Sequence, residues 1–416
     1  MITKGIKVTT SFHRVLKSLI GASLLTCSAL ALTACSASEP VSETMTEAKL
    51  SPYSAASIKD LTDGVADWQI KYFDSFDPWV PTFQERTRNE GTGWIKGAFY
   101  KGLADWAART DSDKYFEFLK EKAEAENYAF GPRIYHADDH VVGQYYMVLH
   151  DRYKDPAMIA PAQKVFDEII ANPSDVSLLF EPEGTEEGYY KACLKRWCWA
   201  DALFMSPPVL TKMTLITGDD KYLDFSDSEF WVATDYLFDE GDNLFLRDSR
   251  FFDKREENGE KTYWSRGNGW VFSGLTDILR DLPKDHASRP RYEALYKDMA
   301  AALIDTQAEN GFWPVSLKAG ELYPVPESSG TAFFVAGLAW GVKTGRLDEA
   351  TYLPTIKKGW DAIEASIRDE GMIGYVQQVG YAPDKVSADE TQFYGAGAVL
   401  LAGTHMLDLA EAGTLK

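Results

Sequence analysis

Basic residues are scarce in this sequence of 416 residues, where 43 lysines and arginines stand against 63 aspartates and glutamates. The net charge of −20 argues against a broad nucleic-acid or anionic-membrane surface, because both of those partners require a positive face. An anionic small ligand is still compatible with the composition, since a few local arginines suffice to hold it. We therefore expect no nucleic-acid partner.

Cysteine is also scarce, with four residues in the chain. Two of them, Cys27 and Cys35, lie near the N-terminus, which leaves Cys193 and Cys198 for the folded part. The second pair forms either a disulfide or two buried thiols; a disulfide requires an irregular segment, because a regular helix places them on different faces. No further ligands cluster around them, so we expect no metal and no cofactor.

The N-terminal segment has the features of a bacterial lipoprotein leader. Basic residues between positions 4 and 17 precede the apolar run LIGASLLTCSALALTAC, the order found in secretion signals. The last four letters resemble a lipobox, with Cys35 as the lipidated residue. We predict a signal peptide over residues 1–34 and a polar tether over residues 35–51, with an uncleaved membrane anchor as the alternative.

Ser36 follows this cysteine where an aspartate would otherwise signal retention in the inner membrane. We therefore predict an outer-membrane lipoprotein that contacts the membrane only through its lipid. Removing the leader takes away four positive charges and no negative ones, so the net charge falls from −20 to −24.

Long stretches of strand-like alternation are absent, and apolar residues recur at helical spacing almost throughout. Six segments are apolar nearly all round and rich in glycine or alanine, as expected of helices buried on every side. They are GAFYKGLADWAART, VVGQYYMVLHDRYKD, PPVLTKMTLITGDDKYL, GWVFSGLTDILRDLP, TAFFVAGLAWGVKTGRLD and YGAGAVLLAGTHMLDLA. More polar, amphipathic segments alternate with them, so the sequence predicts an all-α (α/α)6 barrel over residues 52–416 as a single domain, with an open solenoid as the alternative.

The alternation makes the inner helices parallel, so their N-terminal ends should meet at one mouth of the barrel. Ser206, Asn268 and Ser329 lie where helix caps are expected. Capping does not explain the aromatic, histidine and arginine residues at the same end, whereas a shared pocket does. The predicted pocket residues are Trp94, His136, His140, Trp199, Trp264, Arg266 and Trp270.

Arg266 lies between two tryptophans in the motif YWSRGNGW, just before a predicted helix start. Its planar fork and the helix dipole both favour a carboxylate, and the flanking Trp264 and Trp270 could stack on a sugar ring. The loop is therefore predicted to bind an acidic sugar, with a structural ion pair of Arg266 as the alternative.

Asp201 lies in the apolar stretch WCWADALFM, where the pKa of a carboxyl is raised so that it can act as a general acid. Asp138 and Asp139 form a second carboxylate group, flanked by His136 and His140. Two carboxylate groups suit sugar chemistry. A metal site made from these four residues is disfavoured, because no further ligand motif accompanies them.

Four motifs in order resemble glycoside hydrolase family 105: HADD with VGQ, WADALFM with PP, WSRGNGW, and SSGTAFFVAGLAWGVKTGRLD. The likeness covers most of residues 60–410. It implies an (α/α)6 barrel that acts on a terminal 4,5-unsaturated uronic acid, the end that a polysaccharide lyase leaves. In that reaction an aspartate protonates C4 of the double bond, water adds at C5, and the resulting hemiketal opens and expels the neighbouring sugar.

The resemblance also implies roles for individual residues. The family's catalytic aspartate, two residues after a tryptophan, matches Asp201. Asp139, or its neighbour Asp138, matches the second functional carboxylate. The positions that match substrate contacts are Trp199, Arg266 and Trp270.

The sequence departs from the family pattern at LFLRDSRFF, where several members have a His-x-Trp-Asp stretch. Arg247 stands there and is predicted to bind substrate. An added cation suits a more anionic neighbouring sugar, such as the sulfated rhamnose of ulvan, so ulvan and rhamnogalacturonan fragments are both candidate substrates. Two other functions stay open: a non-catalytic surface glycan-binding lipoprotein, and a sugar epimerase that uses His136 and His140.

Overall fold

The computed structural model describes residues 51–76, 79, 91–180 and 193–416. The predicted signal peptide, the lipidated Cys35 and nearly all of the predicted tether lie outside these residues. Within the described ranges, no helix combines the length and the apolar character needed to cross a membrane.

Helices of two kinds alternate along the described chain. The inner helices are α2 (Trp94–Thr110), α4 (Val142–Tyr153), α7 (Pro207–Thr217), α9 (Ser265–Asp281), α11 (Ser328–Lys343) and α13 (Phe393–Glu411). The outer helices are α1 (Ala55–Lys71), α3 (Asp113–Ala125), α5 (Ala160–Ala171), α8 (Lys221–Leu237), α10 (Arg289–Thr306) and α12 (Glu349–Ser366). A short helix, α6 (Ala202–Met205), leads into α7.

The inner helices form a closed ring. Each packs against the next, from α2 through α4, α7, α9 and α11 to α13, and α13 packs against α2. An open solenoid would leave its two terminal inner helices without a shared contact. The predicted (α/α)6 barrel is therefore confirmed.

Two glycines explain why small residues recur on the inner helices. A Cβ at Gly102 of α2 would lie 2.2 Å from the carbonyl oxygen of Gly397 of α13. A Cβ at Gly397 would in turn lie 2.3 Å from the carbonyl oxygen of Ala98. Because the two backbones are this close, a larger residue at either position would force the helices apart.

The predicted start of α9 is wrong. The helix begins at Ser265 with Trp264 in the capping position, so Asn268 lies in its first turns and not at its cap. The side chain of Asn268 instead bonds the backbone of Phe245, accepting its N–H at 2.8 Å and donating to its carbonyl at 3.0 Å. This pair of bonds fixes the chain that leads into Arg247.

Ser329 is likewise not a helix cap. Glu327 occupies that position for α11, and its buried carboxylate accepts the N–H groups of Ser329 and Gly330 at 3.0 and 2.7 Å. A carboxylate is well suited to this place, since the positive end of the helix dipole stabilises it.

Residues 193–201, which lead into α6, and the segment between α8 and α9 carry side chains of the mouth. Cys193 and Cys198 are disulfide-bonded with their Cα atoms 5.5 Å apart, so of the two alternatives the disulfide is correct. Between α8 and α9, strands β1 (Phe238–Asp239) and β2 (Leu244–Phe245) pair antiparallel. The chain after β2 leads directly to Arg247.

Candidate active site

The N-terminal ends of the inner helices meet at one end of the barrel, as predicted. The ring of Trp94 at the start of α2 stacks on Tyr394 of α13 at 5.3 Å. Trp270 of α9 lies edge-on to Trp94 at 6.3 Å and contacts Phe333 of α11 at 4.5 Å. We call these four residues and Phe204 the aromatic layer.

Trp270 lies within this aromatic layer and is 1% exposed. Phe204 contacts it at 4.7 Å, in addition to Phe333 and Trp94. The geometry therefore gives Trp270 a packing role, whereas Trp94 keeps part of its surface exposed.

Asp201 lies immediately before α6 and is 7% exposed. Burial raises the pKa of its carboxyl, the effect that its apolar flanks predict. The positive charges of Arg247 and Arg266 lower this pKa, and the negative charge of Asp138 raises it. The outcome is a carboxyl whose pKa is raised above its ordinary value, as a general acid requires.

Asp138 and Asp139 share the 3-10 turn Ala137–Asp139 but have different surroundings. The Asp139 side chain is 6% exposed; it accepts the backbone N–H of Arg133 at 2.8 Å and forms an ion pair with the Arg133 guanidinium. The Asp138 side chain is 20% exposed, and its charge acts on Asp201. Of these two carboxylates, Asp139 is paired with Arg133, and Asp138 is the one whose negative charge raises the pKa of Asp201.

His136 lies between this turn and Trp199. Its Nδ1 atom accepts the backbone N–H of Asp138 at 3.2 Å, and its ring lies 5.0 Å from that of Trp199. Burial lowers the pKa of His136 to about 3, so the ring is neutral at physiological pH. His136 and Trp199 thus form a neutral wall beside the carboxylates.

His140 has a structural role, and the prediction that it binds substrate does not fit its surroundings. Its Nε2 lies 2.7 Å from the carbonyl oxygen of Ile134 and must donate to it, so Nδ1 accepts from the Ser206 hydroxyl at 2.9 Å. Burial lowers the pKa of His140 to about 4. Ser206 precedes α7 as predicted, but its hydroxyl bonds this ring and not the helix backbone.

Arg266 is 1% exposed and lies between two aromatic rings, Trp264 at 4.6 Å and Tyr394 at 4.7 Å. Its terminal nitrogens donate to the carbonyl oxygens of Gln377 at 2.6 Å and Gln378 at 2.8 Å. The fork that was predicted to hold a substrate carboxylate therefore holds a loop of the protein. Its Nε has no hydrogen-bond partner in the described part of the chain.

Sequence reasoning missed Gln377, which connects several residues of the mouth. Its side chain accepts the indole N–H of Trp264 at 2.7 Å, and its carbonyl accepts from Arg266 and from the Tyr394 hydroxyl. It lies in the irregular segment between α12 and α13, where no periodic pattern marks a residue as important.

Arg247 contacts two carboxylates. Its Nε lies 3.2 Å from Oδ2 of Asp201, and its terminal nitrogen donates to the fully buried Asp248 at 2.7 Å. The structure thus brings Arg247 to the candidate acid, although the sequence analysis assigned it to substrate binding.

The described ranges contain no group of three or more His, Cys, Asp or Glu residues that could hold a metal ion.

The candidate site consists of Asp201 and Asp138 with the cations Arg247 and Arg266. Aromatic side chains and neutral histidines line it. A raised-pKa carboxyl beside a second carboxylate is an arrangement suited to acid–base chemistry on a sugar.

The chain is similar in sequence and in fold to a group of known enzymes. Residues 61–410 match the family model described as Glycosyl Hydrolase Family 88. A relative from Alteromonas sp. (strain LOR), named unsaturated 3S-rhamnoglycuronyl hydrolase, is 42% identical over 356 residues, which cover 85% of this chain and 86% of the relative. A relative of the same name from Formosa agariphila is 36% identical over 331 residues, covering 77% of this chain and 85% of that protein.

Two solved structures share the fold of this chain. A glycosyl hydrolase family 88 protein from Bacteroides vulgatus is 25% identical with a TM-score of 0.71, covering 85% of this chain and 99% of the other. A protein named as a polysaccharide lyase is 28% identical with a TM-score of 0.73, covering 86% of this chain and 98% of the other.

Proposed function

Because the chain belongs to glycosyl hydrolase family 88, we propose that it removes an unsaturated uronic acid from a rhamnose that carries a 3-sulfate. The broader activity follows from the family and its relatives: the protein is a glycosidase that acts on oligosaccharides with an unsaturated uronic acid. The resemblance to family 105, as a group of unsaturated glycuronyl hydrolases, is confirmed to this extent.

The sulfate is supported by one observation, the similarity to two relatives named unsaturated 3S-rhamnoglycuronyl hydrolase, at 42% and 36% identity. We interpret 3S-rhamno in that name as a rhamnose with a 3-sulfate. The sequence predicts that Arg247 binds substrate, with its added charge favouring a more anionic sugar such as sulfated rhamnose. Because the guanidinium of that residue contacts Asp201 and Asp248, the proposal rests on the relatives and not on Arg247. Ulvan fragments, in which sulfated rhamnose neighbours the uronic acid, are therefore the proposed substrates in preference to rhamnogalacturonan fragments.

Asp201 is the proposed acid–base residue. Its protonated carboxyl delivers a proton to C4 of the double bond, and the resulting carboxylate takes a proton from the water that adds at C5. The hydrated sugar is a hemiketal, which opens to a ketone at C5 and leaves a hemiacetal at C1. This hemiacetal collapses to an aldehyde and releases the rhamnose hydroxyl. The support for this role is a buried carboxyl of raised pKa, beside the carboxylate of Asp138, at the mouth of the barrel.

Membership in a glycosidase family disfavours the two other functions. A non-catalytic glycan-binding protein would not need a buried carboxyl of raised pKa at its mouth. An epimerase would need a histidine pair, whereas His140 has both ring nitrogens hydrogen-bonded within the protein.

The test uses matched disaccharides in which an unsaturated glucuronyl residue is linked to rhamnose with or without the 3-sulfate. We expect the ultraviolet absorbance of the enol ether to disappear. We also expect kcat/KM to be about 10- to 100-fold higher for the sulfated form, as for a contact to a charged group. Equal rates on both disaccharides, or preference for a disaccharide in which the same unsaturated uronyl residue is linked to rhamnose as in rhamnogalacturonan, would contradict the sulfate. Binding without loss of absorbance would instead support a non-catalytic protein.

We further propose that the chain is an outer-membrane lipoprotein, facing the periplasm or the cell surface. The support is the basic and apolar leader that ends in LTAC, followed by Ser36. A lipid on Cys35 would place the barrel at the membrane through a tether of about fifteen residues, with no further membrane contact required.

Replacing Cys35 by serine should abolish lipidation. The variant should leave the membrane fraction or accumulate with its leader uncleaved, which fractionation and mass spectrometry of the N-terminus would detect. As the control, Cys27→Ser lies inside the predicted leader and should be processed normally. Unaltered fractionation and processing of Cys35→Ser would contradict the proposal.

A further inference from the structure

Arg247 lies at the junction between the candidate acid and a buried anion. Its Nε approaches Oδ2 of Asp201 at 3.2 Å, and a terminal nitrogen donates to Oδ2 of Asp248 at 2.7 Å. Asp248 is fully buried and also accepts from the guanidinium of Arg250 at 2.8 Å. If Arg247 moved away, the buried carboxylate of Asp248 would keep only Arg250 as a charged partner. Leaving a buried charge partly unpaired is unfavourable, so this ion pair holds the Arg247 side chain in place.

The backbone around Arg247 is fixed as firmly as its side chain. Asn268 bonds both the N–H and the carbonyl of Phe245, two residues before it. The carbonyl of Arg247 itself accepts the N–H of Ala200, the residue before Asp201, at 2.8 Å. The segments that carry Arg247 and Asp201 are therefore joined by a backbone hydrogen bond as well as by an ion pair.

Charged groups on three elements of the described chain act on the pKa of Asp201. Arg247 follows β2, Arg266 lies on α9, and Asp138 lies on the 3-10 turn before α4. His136 on the same turn is neutral at physiological pH, because burial lowers its pKa to about 3. Burial and Asp138 favour the protonated carboxyl, whereas the two arginines favour the carboxylate.

A residue that gives a proton and then takes one back works best when its pKa lies near the operating pH. Burial and the negative charge of Asp138 both raise the pKa of Asp201. A cation in contact with one carboxyl oxygen opposes that effect. It also leaves the other oxygen, Oδ1, without this contact.

We propose that Arg247 is a positioning residue that acts through Asp201: it orients the carboxyl for proton transfer and sets the pH range of the reaction, and it does not bind the substrate's sulfate. This inference rests on the proposed role of Asp201 as the acid. It predicts that Oδ1 is the oxygen that exchanges protons with C4 and with water, since Oδ2 faces the guanidinium.

The test is the pH profile of Arg247→Gln, measured as kcat and kcat/KM on both the sulfated and the unsulfated disaccharide. Activity needs the protonated acid, so the rate falls as pH rises through the pKa of Asp201. Without Arg247 the carboxylate is less stabilised and its pKa rises, so the alkaline limb should move to higher pH by on the order of one unit. The shift should be the same on both substrates, and kcat should fall by about tenfold or more as the carboxyl loses its orientation.

Two variants complete the experiment. Arg247→Lys keeps a cation and should return the alkaline limb toward that of the wild type. Arg250→Gln removes the other cation that contacts Asp248. The contacts of Arg250 described above are to Asp248 and not to Asp201, so the alkaline limb should stay unchanged. If Arg247→Gln fails to fold, Arg247→Met combined with Asp248→Asn removes the cation and its buried anion together, and the same upward shift is expected.

An unchanged alkaline limb, with a KM increase confined to the sulfated disaccharide, would overturn the inference and make Arg247 the sulfate ligand. Wild-type turnover is measured in the same series. If the wild type consumes neither disaccharide, the proposed function fails and this inference fails with it. If the wild type is active and the limb does not move, this inference alone fails.

Discussion

Asp201→Asn should fold with nearly the melting temperature of the wild type and lose almost all activity. The amide has the same shape, but it does not donate a proton to carbon and does not take one from water. Losing general acid–base help costs about 10²–10⁴ in rate, and two roles on one residue place the expected loss at the upper end. The measurement is kcat from the loss of enol-ether absorbance, with circular dichroism to check the fold.

The neighbouring carboxylates provide matched controls for this variant. Asp138→Asn removes the negative charge that raises the pKa of Asp201, so activity should fall while stability changes little. Asp139→Asn removes the counter-ion of Arg133, so stability should fall more than kcat. A folded Asp201→Asn enzyme that keeps more than about a tenth of the wild-type kcat would disprove the assignment, because loss of a general acid typically leaves far less activity. Asp138 would then become the first candidate for the acid.

Arg266→Lys should lower both stability and activity. The guanidinium spans two carbonyl groups, those of Gln377 and Gln378, from between the rings of Trp264 and Tyr394. An ammonium keeps the charge but lacks the fork, so one carbonyl is left without its charged donor. The expected loss is about 1.5–3 kcal/mol of unfolding free energy, measured by urea denaturation, together with a higher KM as the loop at the mouth loosens.

A suitable control for Arg266→Lys is Arg255→Lys. Arg255 also donates to two backbone carbonyls, those of Phe252 and Lys254, but on the exposed surface. The change there should stay within about 0.5 kcal/mol. A higher KM for Arg266→Lys with an unchanged denaturation midpoint would instead support direct binding of the substrate carboxylate, as the sequence motif suggests.

The fold was predictable because its cause is local. A helix that is apolar nearly all round has to be buried on every side, and six of them alternating with amphipathic helices leave few arrangements other than a closed double ring. Close packing of that ring explains why Gly102 and Gly397 lie on α2 and α13, where a Cβ would meet the neighbouring backbone. The raised pKa of Asp201 was predictable for the same reason, since its apolar sequence neighbours contribute to its burial.

The partners of the polar side chains at the mouth were not predictable in this way. Arg266 bonds residues 111 and 112 positions away in an irregular loop, and Arg247 meets Asp201 across 46 positions. A sequence motif shows that a guanidinium group or an imidazole ring is present. It does not show which hydrogen-bond partner the folded chain brings to that group.

The sequence by itself thus determined the ring of helices, the end of the barrel at which polar residues gather, and the carboxyl with a raised pKa. Only the tertiary structure decided that Asp139 pairs with Arg133 while the charge of Asp138 acts on Asp201, and that His140 bonds Ile134 and Ser206. The physical reason is that burial of an apolar face follows from periodicity along the chain. A hydrogen bond or an ion pair instead depends on distances of about 3 Å between segments that only the completed packing brings together.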